Sequence, residues 1–378
     1  MRRALTTRYL DFWLLGGASI AVWLLMFGLE GFRASWAVNE HYQHLTTTAL
    51  SLSLLVNYPH FMASYKLAYT RGPAFVRGHW WQLIAVPLLL AGAFVGAWLY
   101  YDLRVEQVPA LVAVGEAVSG WGANIQVLSG PRVGDLIFTL LFNVMILTLG
   151  WHYSKQAFGC MVVYAHYDGY TLSPPQRRLI KWALLSLWVM IFVDYNLAGD
   201  FRAWRGFSYS ALDLPDVAAP LSQLLVAAGF VLVLTRVFWA NYRASGQRPS
   251  ATMLAPFVSL YLWWLPQFRQ EEYFFLLVPL FHGLQYLAFA YRMEDARLRS
   301  APNREAQATL LVVGLVVGGW FAFELGPDSL DAWLGTFDTW RIFFFFTAAM
   351  LFINIHHYFI DNVLWRFRDP EVRAYLLG

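Results

Sequence analysis

The chain has 378 residues, 58% of them hydrophobic and 13% charged, with a mean hydropathy of +0.46 and a formal net charge of +3. This balance excludes an ordinary soluble domain and points to an integral membrane protein. No basic run is interleaved with aromatics, so no nucleic-acid partner is expected. The single cysteine, Cys160, excludes an intramolecular disulfide and a thiolate zinc or iron–sulfur site within one chain.

Met1-Arg2-Arg3 precedes an apolar stretch over 11–29 that reads as an uncleaved first span, because no small-x-small cleavage site closes it. Further apolar windows fall at 45–65, 80–100, 134–162, 180–197, 218–240, 251–265, 272–291, 307–324 and 341–365. The shortest, 251–265, carries Pro256 and is followed by Pro266, whereas 134–162 and 341–365 are long enough to tilt or to leave the bilayer. Residues 101–133 are rich in Gly and Val and fit a short interfacial helix. Residues 198–217, with Trp204, Phe207 and Tyr209, fit a cap or lid. The 18 Trp, 20 Tyr and 30 Phe suit interfacial belts and a ring-lined interior.

With the N-terminus inside, the inner segments collect Arg and Lys, from Arg2 and Arg3 through Lys66, Arg71, Arg77 and Arg292 to Arg366, Arg368 and Arg373. The outer loops are richer in acids, among them Asp102, Glu106, Asp213 and Asp328. That asymmetry predicts an all-α, polytopic helical bundle of about ten transmembrane helices with both termini cytoplasmic. No repeat or linker divides it, so residues 1–378 are expected to form a single transmembrane helical domain. The expected location is a bacterial inner membrane.

Four windows carry histidine, each ahead of a basic inner end. The second reads Asn57-Tyr58-Pro59-His60-Phe61, with Pro59 expected to kink the span beside His60. The fourth reads Trp151-His152-Tyr153-Ser154-Lys155-Gln156 and the eighth Phe281-His282-Gly283-Leu284-Gln285-Tyr286. The tenth reads Asn354-Ile355-His356-His357-Tyr358-Phe359-Ile360-Asp361. A spacing of about ten helical residues rises roughly 15 Å, half the hydrocarbon core, so most of these imidazoles share one depth. His152 is the looser fit. Polar groups inside a bilayer are costly and mark function.

Imidazoles presented inward from several helices make a metal site. His60, His152, His282, His356 and His357 are the expected ligands. His356 and His357 point about 100° apart on an ideal helix, so both serve one site only through distortion or a second ion. Gln156, Gln285 and Asp361 lie three or four residues from a histidine and are placed to orient or complete the set. Asp361, Lys155 and Tyr358 are the expected catalytic residues, with Lys155 either reaching inward to water or pairing with an acid such as Asp361. Tyr58, Tyr286 and Tyr358 are expected to hold the substrate. His41 and His44 read as interfacial at the outer edge, His79 and His166 at the inner surface.

A nitrogen-rich site without thiolate suits non-haem iron, one or two ions, with zinc or copper less favoured. Several histidines, one carboxylate and open positions suit dioxygen, and in a membrane the partner is a lipophilic small molecule, a lipid or isoprenoid reached laterally among membrane lipids. An electron donor is also implied. Two short pieces, His60-Phe61-Met62-Ala63 and His356 ahead of the Asp361 that is followed by a basic inner end, resemble parts of the Brp/Blh-type β-carotene dioxygenases. That resemblance implies a multi-span protein whose intramembrane histidines bind non-haem iron, a histidine-cluster oxygenase. The HxxxH and HxxHH boxes of fatty-acid desaturases are absent. A haem-binding electron carrier, a proton-coupled transporter using intramembrane His and Asp, and a structural subunit remain alternatives at this level.

Overall fold

The computed structural model describes residues 3–28, 47–48, 51–113, 132–197, 201–204, 207–212, 214–265, 271–299, 301–334, 343–367 and 369–377. A helix lies in each apolar window. These are α1 (Arg8–Phe27), α2 (Asn57–Tyr69), α3 (Trp81–Leu99), α4 (Val133–Tyr167), α5 (Pro174–Tyr195), α6 (Ala218–Ser245), α7 (Ala251–Trp264), α8 (Glu271–Leu298), α9 (Arg304–Leu334) and α10 (Phe344–Leu364). A short α11 (Pro370–Leu377) follows. Five of them, α1, α3, α4, α6 and α9, are long and apolar enough to cross a membrane. Leu88 on α3, Leu224 on α6 and Leu310 on α9 are exposed, an outward apolar surface that suits lipid and not water. Outside the helices, residues 201–204 and 207–210 pair as a short antiparallel hairpin where a cap was expected. His41, His44 and most of the 101–133 segment lie outside the described residues.

Local chemistry sets the helix starts. Ser173 accepts from the Gln176 amide and Gln176 answers to the Ser173 amide, a reciprocal cap with Pro174 just inside α5. Ser250 caps α7 by accepting from the Met253 amide and donates to Asp168 at 2.5 Å. Arg8 pairs with that same Asp168, so one carboxylate ties α1, the end of α4 and the start of α7. Helix α4 has 35 residues, about 50 Å at 1.5 Å each, against a hydrocarbon core of roughly 30 Å. That length carries the helix well past His152 to Tyr167.

The bend expected at Pro59 falls one turn earlier. Val56 leaves helical geometry (φ −123°, ψ −60°), α2 starts at Asn57, and Pro59 occupies the first turn, where its missing N–H is not needed. Helix α1 bends at Gly16, against which the Ala255 carbonyl of α7 packs: a Cβ there would stand 2.6 Å from that oxygen. Around this bend α1 packs on α7 and α8. Helix α2 packs on α8, α9 and α10, and α10 packs on α4. All four histidine-bearing helices therefore meet in the middle of the bundle.

Candidate metal centre

His60 from α2, His152 from α4, His282 from α8 and His357 from α10 converge, and all four are buried. Ring centroids are 4.9 Å apart for His60 and His357, 5.3 Å for His60 and His282, 4.7 Å for His152 and His282, and 5.0 Å for His152 and His357. Asp361, one turn after His357, brings a buried carboxylate to the same point. Its Oδ2 is 3.6 Å from His152 Nε2 and 3.5 Å from His357 Nε2. Two sets of donor atoms lie within 4.8 Å of one another: His60, His282 and His357, and His152, His357 and Asp361. His357 belongs to both. These residues could hold a metal ion.

The hydrogen-bond pattern fits that use. Ser64 donates its one proton to the Phe61 carbonyl at 3.0 Å, so it can only accept from His357 Nδ1, 2.8 Å away. That fixes the proton on Nδ1 and turns the Nε2 lone pair toward Asp361 Oδ2. Neither His357 Nε2 nor Asp361 Oδ2 has a hydrogen-bond partner, and both nitrogens of His60 lack one too. Buried polar atoms are ordinarily satisfied, and two acceptors facing each other need a cation or a proton between them. Nε2 of His152 and Nε2 of His282 stand 3.0 Å apart. Nitrogens bound to one ion at about 2.1 Å lie about 3.0 Å apart at right angles and about 3.4 Å apart tetrahedrally. The pair already has ligand spacing.

His356 does not join them. One residue from His357, it turns to another face of α10, where Tyr65 Oη meets its Nδ1 at 2.9 Å. The helical rotation of about 100° per residue holds here, with no distortion to bring both imidazoles inward. His166 is exposed beside Arg3, and His79 is bonded to the Phe75 carbonyl.

The polar neighbours divide by role. Gln156 does not touch an imidazole: its amide donates to the His282 carbonyl at 3.0 Å and to Gln285 Oε1 at 3.1 Å. Gln285 in turn donates to the Leu15 carbonyl at 2.7 Å, beside the Gly16 bend of α1. This chain positions α8 through its backbone. Tyr286 donates to Asp361 Oδ1 at 3.2 Å and leaves Oδ2 facing the histidines. Tyr358 lies against His152, ring centroids 4.8 Å apart, with its hydroxyl on Asn354. Tyr58 is elsewhere, stacked on Phe323 and bonded to Glu324. Lys155 donates to the Asn362 amide oxygen at 3.0 Å and sits over the Trp151 ring.

Three contributors are not evident from the histidine pattern: Ser64, Tyr65 and Tyr153, whose ring stacks on His282 at 4.1 Å. Ser64 follows His60 by four residues, so the same-face rule that selects Gln156 also reaches it. Gly283 allows the close approach beside His60, since a Cβ there would stand 3.2 Å from His60 Nδ1. Alongside the cluster, between α4, α8 and α10, lies a cavity of about 530 Å³ that His152, Tyr286 and Asp361 help to line. That is ample for a small ligand. No protein-family model, curated protein or solved structure matches this chain.

Proposed function

We propose that this protein is a membrane-embedded, metal-dependent oxidoreductase, a non-haem iron oxygenase acting on a lipid or isoprenoid substrate. The observation that carries the reading is the meeting of four imidazoles from four helices, with the Asp361 carboxylate from the His357 helix, in two buried donor sets that share His357. His60, His152, His282, His357 and Asp361 would hold the ion, and iron bound by such a nitrogen-rich set supplies dioxygen activation. Ser64 holds the His357 tautomer, Tyr286 orients Asp361, and the Gln156–Gln285 pair fixes the height of His282. The adjoining cavity gives a substrate access to the His152–Asp361 side.

The spacing of His152 and His282 disfavours haem there. Axial imidazoles stand about 4 Å apart with the macrocycle between them, and these nitrogens are 3.0 Å apart. The charge asymmetry of the loops supports ten spans with cytoplasmic termini, in a bacterial inner membrane. Metal analysis of the purified protein tests the proposal. About one or two equivalents of iron, lost in His282→Ala, is the expected result. Less than about half an equivalent of any transition metal after growth with iron, unchanged by His282→Ala, overturns it.

A further inference from the structure

The cavity beside the cluster has an unusual charge distribution for an intramembrane space. Lys155, Lys181 and Arg366 line it, and Asp361 is the one acid on its wall among the described residues. Apolar side chains, including Phe158, Phe289 and Phe367, complete the lining. The three cations are each half-buried. Lys181 and Arg366 are close enough to Lys155 to repel it and Asp361 is close enough to attract it, while Arg366 Nε donates to the Asn362 carbonyl at 2.8 Å. The neutral Asn362 amide and the Trp151 ring that receive the Lys155 ammonium do not neutralise it.

Basic side chains at the inner edge of a membrane protein usually spread out and reach separately for water. Here three of them line one cavity, a setting that favours an anionic ligand over a neutral one. Lys155 and Arg366 also stand close to the metal donors in sequence. Lys155 is one turn after His152, and Arg366 is five residues after Asp361. An anion among the cations therefore lies roughly 5–8 Å along the helices from the donor layer. A chain attached to that anion passes the cluster within a few bonds of its head.

We propose that this cavity binds an anionic amphiphile, a hydrocarbon chain ending in a carboxylate or phosphate. Lys155, Lys181 and Arg366 grip the head, and the carbons next to it face His152 and Asp361. Arg366 suits the head because a guanidinium matches the planar spacing of carboxylate or phosphate oxygens. The apolar wall receives the chain. An uncharged hydrocarbon substrate gains nothing from these cations. The inference deepens the oxygenase reading and rests on it for what happens to those carbons; the grip on the head does not require the metal.

The test is equilibrium binding of radiolabelled palmitate, its methyl ester and hexadecyl phosphate to the full-length protein in an uncharged detergent, with and without chelator. Palmitate and hexadecyl phosphate are expected to bind at least about tenfold more tightly than the ester. Lys181→Gln and Arg366→Gln are each expected to remove most of that preference while ester binding stays unchanged. His282→Ala is expected to keep the preference while losing metal. Equal binding of acid and ester by the unaltered protein overturns the proposal, as does full preference in both glutamine variants. Inorganic phosphate or butyrate displacing palmitate at equal concentration also overturns it, because the ligand is then a free anion. Retained preference in a protein that takes up no iron leaves this inference standing and removes the oxygenase reading alone, so the two failures are distinguishable.

Discussion

Ser64 accepts a hydrogen bond from His357 across 2.8 Å and donates one to the Phe61 carbonyl at 3.0 Å. A hydroxyl of the His60 helix thereby decides which nitrogen of a histidine on α10 is available. It also couples the two helices at the centre of the cluster.

Removing that hydroxyl should loosen the metal without unfolding the protein. Ser64→Ala is expected to weaken iron binding by about 10–100-fold, the usual effect of losing an outer partner of a ligating histidine. Competition with a chelator of known affinity measures it. Unchanged affinity would mean that His357 does not ligate through Nε2.

The two adjacent histidines should separate cleanly. His357→Ala is expected to abolish stoichiometric metal, whereas His356→Ala keeps it, because His356 bonds to Tyr65 away from the donor set. The expected cost of His356→Ala is about 1–3 kcal/mol of stability, from the partner left behind in a buried place. Metal analysis and thermal unfolding of the same samples distinguish the two outcomes.

Asp361 is the only carboxylate in the two donor groups. Asp361→Asn keeps the shape and removes the charge, so affinity for a divalent ion should fall by at least about tenfold. Tyr286→Phe, which removes only the donor to Oδ1, should have a smaller effect. A larger loss from Tyr286→Phe than from Asp361→Asn would contradict the assigned roles.

The bend in α1 should tolerate no side chain at its apex. Gly16→Ala drives a methyl into the Ala255 carbonyl and is expected to destabilise by about 1–3 kcal/mol, read as a lower thermal midpoint. Gln285→Leu, which strips the Leu15 carbonyl of its donor, should cost a similar amount, about 1–3 kcal/mol. A wild-type midpoint for either variant would show that α1 is not held to α8 through this bend.

Much of the architecture was legible in the chain. Each apolar window carries a helix, and five of these are long and apolar enough to span lipid, where the backbone must satisfy its own hydrogen bonds. The sequence also pointed to histidines from four windows as one group, and rings from all four windows converge. The position of the break near His60 was not legible. Pro59 announces a disturbance, and the structure places it at Val56.

Sequence by itself determined the type of donor and its spacing along each helix, since those follow from side-chain chemistry and a fixed helical repeat. It also separated His356 from His357 by 100° but could not say which of them faces inward. Only the tertiary structure decided that, along with the partnership of Ser64 and His357 and the gathering of Lys155, Lys181 and Arg366 around one cavity. The rotation of each helix about its own axis is set by contacts with its neighbours, and those contacts join residues far apart in the chain.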